Sequence, residues 1–147
     1  MRVVLQRVLE ASVTVDGETV GKIDAGLVAL VGIAEGDDAS VVERAAAKTT
    51  ALRIFRDDVG RFDRSVIEIS GSILVVSQFT LLADTRKGNR PSFTGAADPA
   101  VAEPLVEQYV DALRARGITI ATGRFGADMK VSLVNDGPVT IVLDVAP

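Results

Sequence analysis

Two apolar segments, each about the length of a strand, constrain the fold of this chain more than any other feature. The first is GLVALVGIA, residues 26–34, and the second is GSILVVSQF, residues 71–79. Both are nearly continuous apolar runs, so we expect strands in the middle of a sheet, covered on both faces. Between them, residues 38–55 repeat apolar side chains at helical spacing. The chain is therefore predicted to contain buried strands joined by a helical crossover.

Both predicted helices carry end signals. In residues 38–55, Ser40 and Glu43 form a capping-box pattern. An apolar stripe follows at helical spacing: Val41, Ala45, Thr49 and Leu52. A second helix is predicted over residues 103–117, with Pro104 in its first turn and a glycine as its stop.

Hairpins account for the rest of the predicted sheet. Residues 2–16 alternate as a long strand, and Asp16-Gly17 before TVGKI is a strong hairpin signal. Another strand is predicted at ITIATG, and a polar loop at RDDVGRFDRS. The last segment, MKVSLVNDGPVTIVLDV, predicts a terminal hairpin that turns at NDGP. This order predicts an α/β (α+β) fold: mixed, mostly antiparallel sheets forming a sandwich or open barrel, with two main helices packed outside.

Length and composition agree with one folded unit. The 147 residues, 48% hydrophobic and 24% charged, suit a single domain spanning residues 1–147. No apolar run approaches the roughly 20 residues of a membrane span. The first residues, MRVVLQRV, alternate like a strand and lack the apolar core of a signal peptide. We expect a cytoplasmic protein with no membrane partner.

The absence of histidine and cysteine narrows the possible chemistry. It excludes a thiolate nucleophile, a Ser-His pair and a zinc site of the usual ligands. We predict no metal and no cofactor, since Asp57 and Asp58 in a loop are a weak metal signal without further ligands. An enzyme of this composition works through carboxylates, hydroxyls, amides, Lys, Arg or the backbone, or its substrate brings a reactive group.

The net charge of −4 counts against a protein that coats nucleic acid, and no DNA partner is predicted. Two basic clusters could still form local patches, or could simply be solvated faces. Their members are Arg53, Arg56, Arg61 and Arg64 in one segment, and Arg86, Lys87 and Arg90 in the other.

Polar residues mark one candidate site. Ser77, Gln78 and Thr80 lie where a buried strand runs into a long loop, and ligand sites favour the carboxyl ends of strands. The alternative is that their polar groups only cap the end of the strand. Gly137-Pro138 likewise reads either as an ordinary turn or as backbone shaped to contact something.

The motif VSQFTL, followed later by NDGPVT, resembles the two signature motifs of the D-aminoacyl-tRNA deacylases, also called D-tyrosyl-tRNA deacylases. LQRV, GLVALVGI, LRIFRDD, RPSF and FGADM occur in the expected order between and before them, so the resemblance covers essentially the whole chain. One segment departs from the pattern. Many members have a basic residue followed by Met-Asn where this chain has GRFDRS, so the resemblance assigns no role to residues 61–64.

The resemblance implies a homodimer that hydrolyses the ester between a D-amino acid and the 3′-terminal adenosine of tRNA. It implies that a cis Gly137-Pro138 peptide reaches from one subunit into the active site of the other and selects chirality. The other implied site residues are Ser77, Gln78, Phe79 and Thr80 in the catalytic pocket, Arg7 and Asn135 as support for the motif, and Phe125 and Met129 around the adenine. An enzyme that acts on tRNA needs to hold only the acceptor end, and we suggest Arg86, Lys87 and Arg90 for the phosphate contacts.

This family chemistry suits a chain with no histidine. The resemblance implies that the tRNA 2′-hydroxyl assists the attacking water, while the protein positions the ester and stabilises the oxyanion. We assign the backbone N–H groups around Phe79 and Thr80 as oxyanion donors, and a direct role of the Thr80 hydroxyl is the alternative. An L side chain would meet the Gly-Pro wall, and glycine has none, so glycyl-tRNA is also an expected substrate.

Three other functions remain open. The same fold could edit a different mischarged tRNA with another chirality, a reading that the intact NDGPVT disfavours. An inactive RNA-binding protein would lack the SQFT or NDGP motif, and both are present. A metal-dependent hydrolase is the least compatible with scattered carboxylates.

Overall fold

The computed structural model describes residues 1–147, and its main sheet is organised around one long strand, β1 (Arg2–Val15). Along one edge, β1 pairs with β8 (Lys130–Asp144) over nearly its whole length. Along the other edge, its first half pairs with β3 (Gly26–Gly32) and its second half with β2 (Glu18–Ile23). All three pairings are antiparallel.

The parallel part of the sheet contains the two apolar segments. β3 pairs with β6 (Ser72–Ser77), which pairs with β7 (Thr119–Thr122). The chain crosses between these parallel neighbours through α1 (Ala39–Ala51) and α2 (Pro99–Ala115). Parallel neighbours can only be joined by such a crossover, so a helical pattern between two apolar strands indicates that the strands are parallel.

The sheet curls towards closure. A Cβ atom placed on Gly21 of β2 would lie 2.3 Å from the carbonyl oxygen of Thr122 in β7, so the two strands lie directly against each other. Glycine permits this approach because it has no side chain. The predicted mixed, mostly antiparallel sheet with an open barrel and two helices packed outside is confirmed.

Two apolar clusters stabilise this arrangement. The larger one lies between the helices and the outer face of the sheet, and includes Leu5, Val31, Ile73 and Tyr109. The smaller one fills the inside of the curled sheet, with Val13, Val28 and Leu74 among its members. The parallel strands β3 and β6 contribute to both clusters, which explains their continuous apolar sequence.

α1 lies inside the predicted segment, residues 38–55, but ends at Ala51, whereas α2 begins four residues earlier than predicted. Asp38 caps α1 by accepting a hydrogen bond from the Val41 amide at 3.1 Å, so the Ser40 capping box is wrong. Asp98 caps α2, and Pro99 occupies its first turn. Pro104 therefore lies inside the helix, where it removes one backbone hydrogen bond. An aspartate is as good a cap as a serine, and α1 is capped by the aspartate that lies two residues before Ser40.

Two further predictions are corrected. Part of the predicted loop RDDVGRFDRS forms a small antiparallel hairpin of β4 (Phe55–Arg56) and β5 (Phe62–Arg64). The predicted terminal hairpin is wrong, because β8 continues along β1 on both sides of NDGP. No helix is long and apolar enough to cross a membrane.

Candidate functional site

Residues 136–139 bulge out of the pairing between β1 and β8, and we call this segment the Gly-Pro bulge. Asn135 pairs with Val8 and Thr140 with Gln6, so four residues of β8 stand opposite Arg7 alone. The peptide bond between Gly137 and Pro138 is cis, and Gly137 has a φ of 135°. The NDGP sequence therefore forms a protrusion inside a strand, at the open edge of the sheet.

Asn135 closes the base of the bulge. Its side-chain amide donates to the Val139 carbonyl at 3.1 Å, and its side-chain oxygen accepts from the Val139 amide at 3.0 Å. These two bonds replace the strand pairing that the bulge interrupts. The asparagine therefore has a defined local role in the shape of the motif.

Arg7 holds the bulge from the opposite strand. Its side chain is only 2% exposed, and its Nε donates to the Asp136 carbonyl at 3.1 Å. Its Nη1 donates to the Ile54 carbonyl at 2.8 Å, and its Nε lies 3.4 Å from an Asp136 carboxylate oxygen. Its Nη2 has no hydrogen-bond partner. A buried guanidinium with bonds to two backbone carbonyls fixes the position of residue 136.

A cavity of about 560 Å³ lies at the end of β6. It brings together the sequence-predicted residues of the SQFT motif and the FGADM motif: Ser77, Gln78, Phe79, Thr80, Phe125 and Met129. The Met129 sulfur accepts from the Arg124 amide at 3.4 Å, which closes the FGADM loop over the cavity. Volume and apolar lining are those of a small-molecule site.

The SQFT segment leaves backbone donors unused. Phe79–Leu82 is a 3₁₀ turn, in which the Leu81 amide donates to the Gln78 carbonyl at 3.2 Å. The amides of Phe79 and Thr80 lie at its start, where N–H groups lack partners within the turn. The Gln78 side-chain amide donates to the Thr80 hydroxyl at 3.1 Å. The free N–H groups are suited to bind an oxygen that gains negative charge.

Sequence reasoning missed several residues of the cavity. Phe93 packs edge-on against Phe79, with ring centroids 5.1 Å apart. The start of α2 contributes Asp98, Pro99 and Ala102 to the wall. The aromatic residue in RPSF and the Asp-Pro pair that starts the helix are the signals that could have located them.

Other predicted residues lie outside this cavity. Arg7, Asn135 and the Gly-Pro bulge belong to the β1–β8 edge and do not line the cavity of the same chain. In the basic loop, Arg86 donates to the Asp84 carboxylate at 2.9 and 2.7 Å. The side-chain hydrogen bonds from Arg86, helped by a bond from its backbone amide, lower the pKa of Asp84. Arg86 is thus already paired, whereas Lys87 and Arg90 make no ion pair.

A second cavity of about 480 Å³ adjoins the first through Ser77 and Phe125. Its wall mixes carboxylates and guanidinium groups from α2 and the segment after β7: Glu103, Glu107, Asp111, Arg114 and Arg124. No group of three His, Cys, Asp or Glu side chains in the chain is arranged to hold a metal ion.

Known proteins match this chain over nearly its whole length. The family described as D-Tyr-tRNA(Tyr) deacylase matches residues 4–144. A D-aminoacyl-tRNA deacylase of Chloroflexus aurantiacus is 59% identical over 146 residues, covering 99% of this chain and 91% of the relative. One of Herpetosiphon aurantiacus is 56% identical, covering 99% and 95%. A solved structure called c-Myc DNA Unwinding Element Binding Protein is 41% identical, covers 100% of both chains and superposes with a TM-score of 0.94.

Proposed function

Because this chain belongs to the D-Tyr-tRNA(Tyr) deacylase family, we propose that it hydrolyses the ester between a D-amino acid and the 3′-terminal adenosine of tRNA. The observation that carries the proposal is the cavity at the end of β6. It joins the SQFT segment, with its unused backbone donors, to the aromatic and thioether side chains of Phe125 and Met129. A cavity of this kind suits an aminoacyl-adenosine, with the ester at Thr80 and the adenine at Phe125.

The proposed active site is completed by a second copy of the chain. The Gly-Pro bulge does not line the cavity of its own chain, and it protrudes from a sheet edge that is free to meet a partner. That edge is β8, 15 residues long, and Val134 and Val142 on it are 45% and 56% exposed. A long apolar strand edge is normally covered, and a homodimer would cover it while inserting each bulge into the other cavity.

Chirality would follow from the fixed bulge. Backbone carbonyls of the Gly-Pro bulge would accept hydrogen bonds from the substrate α-amino group, and the SQFT amides would hold the ester. With both groups fixed, a D side chain points to solvent and an L side chain meets the bulge. Arg7 and Asn135 support this by keeping the bulge in one position. Discrimination of this type rests on a clash with the wrong substrate.

The proposed chemistry needs no side-chain base. An aminoacyl ester on ribose is activated by the neighbouring hydroxyl, and the tRNA 2′-hydroxyl assists the attacking water. As the carbonyl becomes tetrahedral, its oxygen gains charge that the Phe79 and Thr80 amides can stabilise. The Thr80 hydroxyl accepts a hydrogen bond from Gln78 and donates none to a basic side chain that would activate it as a nucleophile.

Two consequences concern the range of substrates. Glycine has no side chain to meet the bulge, so glycyl-tRNA is also a proposed substrate. Because the proposed substrate is tRNA, we propose that the protein acts in translation quality control in the cytoplasm. Phosphate contacts are proposed for Lys87 and Arg90, and Arg86 contributes less because it is paired with Asp84. The net charge of −4 argues against binding along nucleic acid, including DNA.

The test is hydrolysis of D-tyrosyl-tRNA and L-tyrosyl-tRNA side by side, with EDTA present, by wild type and Thr80→Ala. We expect rapid loss of the D-ester alone with both proteins, which places the chemistry on backbone groups and substrate. Survival of the D-ester with wild type would contradict the proposed function. Loss of activity only in Thr80→Ala would instead assign the hydroxyl a chemical role.

A further inference from the structure

We propose that Phe62, in the β4–β5 hairpin, is a positioning residue for Arg7 and thereby for the Gly-Pro bulge. The Phe62 ring lies over the Arg7 guanidinium, with the Arg7 Cζ atom 5.4 Å from the ring centroid. Guanidinium groups are attracted to aromatic faces at this distance, and more strongly where water is excluded. Phe62 thus links a surface hairpin to the residue that fixes the bulge.

The hairpin contacts Arg7 on two sides. Arg7 Nη1 donates to the carbonyl of Ile54, the residue just before β4, and the ring of Phe62 in β5 covers the guanidinium. On a third side, Arg7 Nε donates to the Asp136 carbonyl at the start of the bulge. The guanidinium therefore lies between the hairpin and the bulge, and its position depends on both.

The exposures of the two side chains show what the ring does. Phe62 is 54% exposed, whereas Arg7, beneath it, is 2% exposed. A large apolar side chain on the surface is not needed for the core, and Phe62 belongs to neither apolar cluster. Its removal would open the guanidinium to water, which would compete for the two backbone carbonyls.

The unpaired Nη2 atom of Arg7 makes this cover important. Nη2 lies 3.2 Å from the position that a Cβ atom on Gly137 would occupy, so it faces the bulge without bonding to it. Hydrogen bonds fix the Nε and Nη1 atoms. The ring supplies the contact on the face of the guanidinium, which resists its rotation out of the plane of those bonds.

The hairpin is itself anchored, so Phe62 is held in place. Asp63 forms an ion pair with Arg53, whose Nε also donates to the Asp63 carbonyl at 2.8 Å. Arg64 donates to the Asp58 carboxylate at 3.0 Å across the hairpin. The two residues that follow Phe62 are therefore tied to the same hairpin and to the segment that leads into it.

This inference rests on the proposed function for its catalytic readout, so the experiment has a second readout that does not. Four variants are compared: Phe62→Ala, Phe62→Leu, Phe62→Tyr, and Val59→Ala as control. Val59 lies in the same hairpin turn and is 71% exposed, and the hydrogen bonds, ion pair and aromatic contact of Arg7 are made with other residues. Measured are kcat and KM for D- and L-tyrosyl-tRNA, and the NMR signal of the Arg7 Nε–H group.

We expect Phe62→Ala to lower the ratio of D- to L-ester hydrolysis by about three- to tenfold, the range of one cation–π contact. The D-ester KM should rise, because the bulge that receives the amino group is less well held. Phe62→Tyr keeps an aromatic face, so the D/L ratio and the D-ester KM should stay at their wild-type values, as they should in Val59→Ala. The Arg7 Nε–H signal should shift in Phe62→Ala, since the ring current is lost, and hydrogen exchange at the Val139 amide should become faster.

Unchanged D/L selectivity and unchanged Val139 exchange in Phe62→Ala would overturn the inference. If Phe62→Ala does not fold, the same measurements of D/L selectivity and Val139 exchange on Phe62→Leu decide, because leucine keeps an apolar cover but has no aromatic face. If wild type leaves the D-ester intact, the proposed function fails. The Arg7 signal and the Val139 exchange then still decide whether Phe62 positions the bulge.

Discussion

At the scale of single residues, Asn135 is the side chain on which the shape of the Gly-Pro bulge most directly depends. It makes both hydrogen bonds that close the base of the bulge. Asn135→Ala should lower kcat/KM for D-tyrosyl-tRNA by about five- to one-hundredfold, because two hydrogen bonds of about 0.5–1.5 kcal/mol each are lost. Glu18→Ala, at the exposed turn between β1 and β2, is the control and should retain wild-type kinetics. Equal kinetics in both variants would contradict this role.

Gly137 makes the bulge backbone possible. Its φ of 135° is a conformation that L side chains rarely adopt, and an added Cβ would lie 2.8 Å from the Val139 Cγ2 atom. Gly137→Ala should therefore destabilise the fold by about 1–3 kcal/mol, measured by urea unfolding. Gly95→Ala should be nearly neutral, since a Cβ there meets nothing within 4 Å. A Gly137→Ala protein as stable as Gly95→Ala would refute the strain.

Residue patterns predicted part of the candidate site. The SQFT residues were identifiable because polar side chains at the end of an apolar strand stand out, and the strand does end there. Phe125 and Met129 were assigned to the site by the family resemblance alone. The contact between Phe62 and Arg7 could not be predicted, because it joins residues far apart in sequence that lie in two different sheets, Phe62 in β5 and Arg7 in β1.

At the scale of elements, the packing of α1 against α2 includes one buried hydrogen bond between hydroxyl groups. Tyr109 Oη lies 2.8 Å from Thr49 Oγ1, and Thr49 Oγ1 in turn donates to the Ala45 carbonyl at 2.8 Å. Tyr109 therefore donates to Thr49. Burial of the phenol raises its pKa well above the ordinary value, with a smaller opposing effect from the Thr49 hydrogen bond.

This pKa shift predicts how stability depends on pH. The folded chain keeps Tyr109 neutral, while the unfolded chain ionises it above about pH 10, so its contribution is complete below that pH and declines above it. At pH 8, Tyr109→Phe should be less stable than wild type by about 1 kcal/mol, from the lost hydrogen bond. By pH 11 the wild type should have lost about 1.4 kcal/mol, which is more than its advantage of about 1 kcal/mol, so Tyr109→Phe should become slightly the more stable protein.

Urea unfolding of both proteins at the two pH values checks this, and comparing them cancels the other titrating groups. Since Tyr109 is the only tyrosine in the chain, its ionisation can be followed directly by absorbance and should coincide with unfolding. A stability difference that stays constant from pH 8 to pH 11 would contradict the buried phenol.

Elements were predicted well where a pattern is local. β1 and both helices follow from periodicity and β3 and β6 from continuous apolar runs, and the turn at Asp16-Gly17 has positive φ at both residues. The terminal hairpin was wrong because NDGP has the composition of a turn. Only the long-range pairing of residues 130–144 with β1 keeps that segment in one strand, and such pairing is not visible in a local window.

For the whole molecule, the proposed function requires a dimer that covers the free edge of β8. Charged residues there should weaken association, because they would be buried without partners. Val134→Asp with Val142→Asp should shift the protein towards monomer and reduce deacylation in parallel, measured by light scattering and by D-tyrosyl-tRNA hydrolysis. Val59→Asp, equally apolar and exposed in the wild type but away from β8, should do neither.

In the proposed dimer one chain supplies the cavity and the other the bulge, and mixing two variants tests this arrangement. Thr80→Trp should fill the cavity and leave the bulge intact, while Gly137→Val should disrupt the bulge and leave the cavity intact. Each alone should be inactive on D-tyrosyl-tRNA. After unfolding and refolding together, half of the dimers are hybrids with one intact site of two, so about a quarter of wild-type activity should return. If the mixture is as inactive as the separate variants, while wild type treated in the same way recovers, the shared active site is wrong.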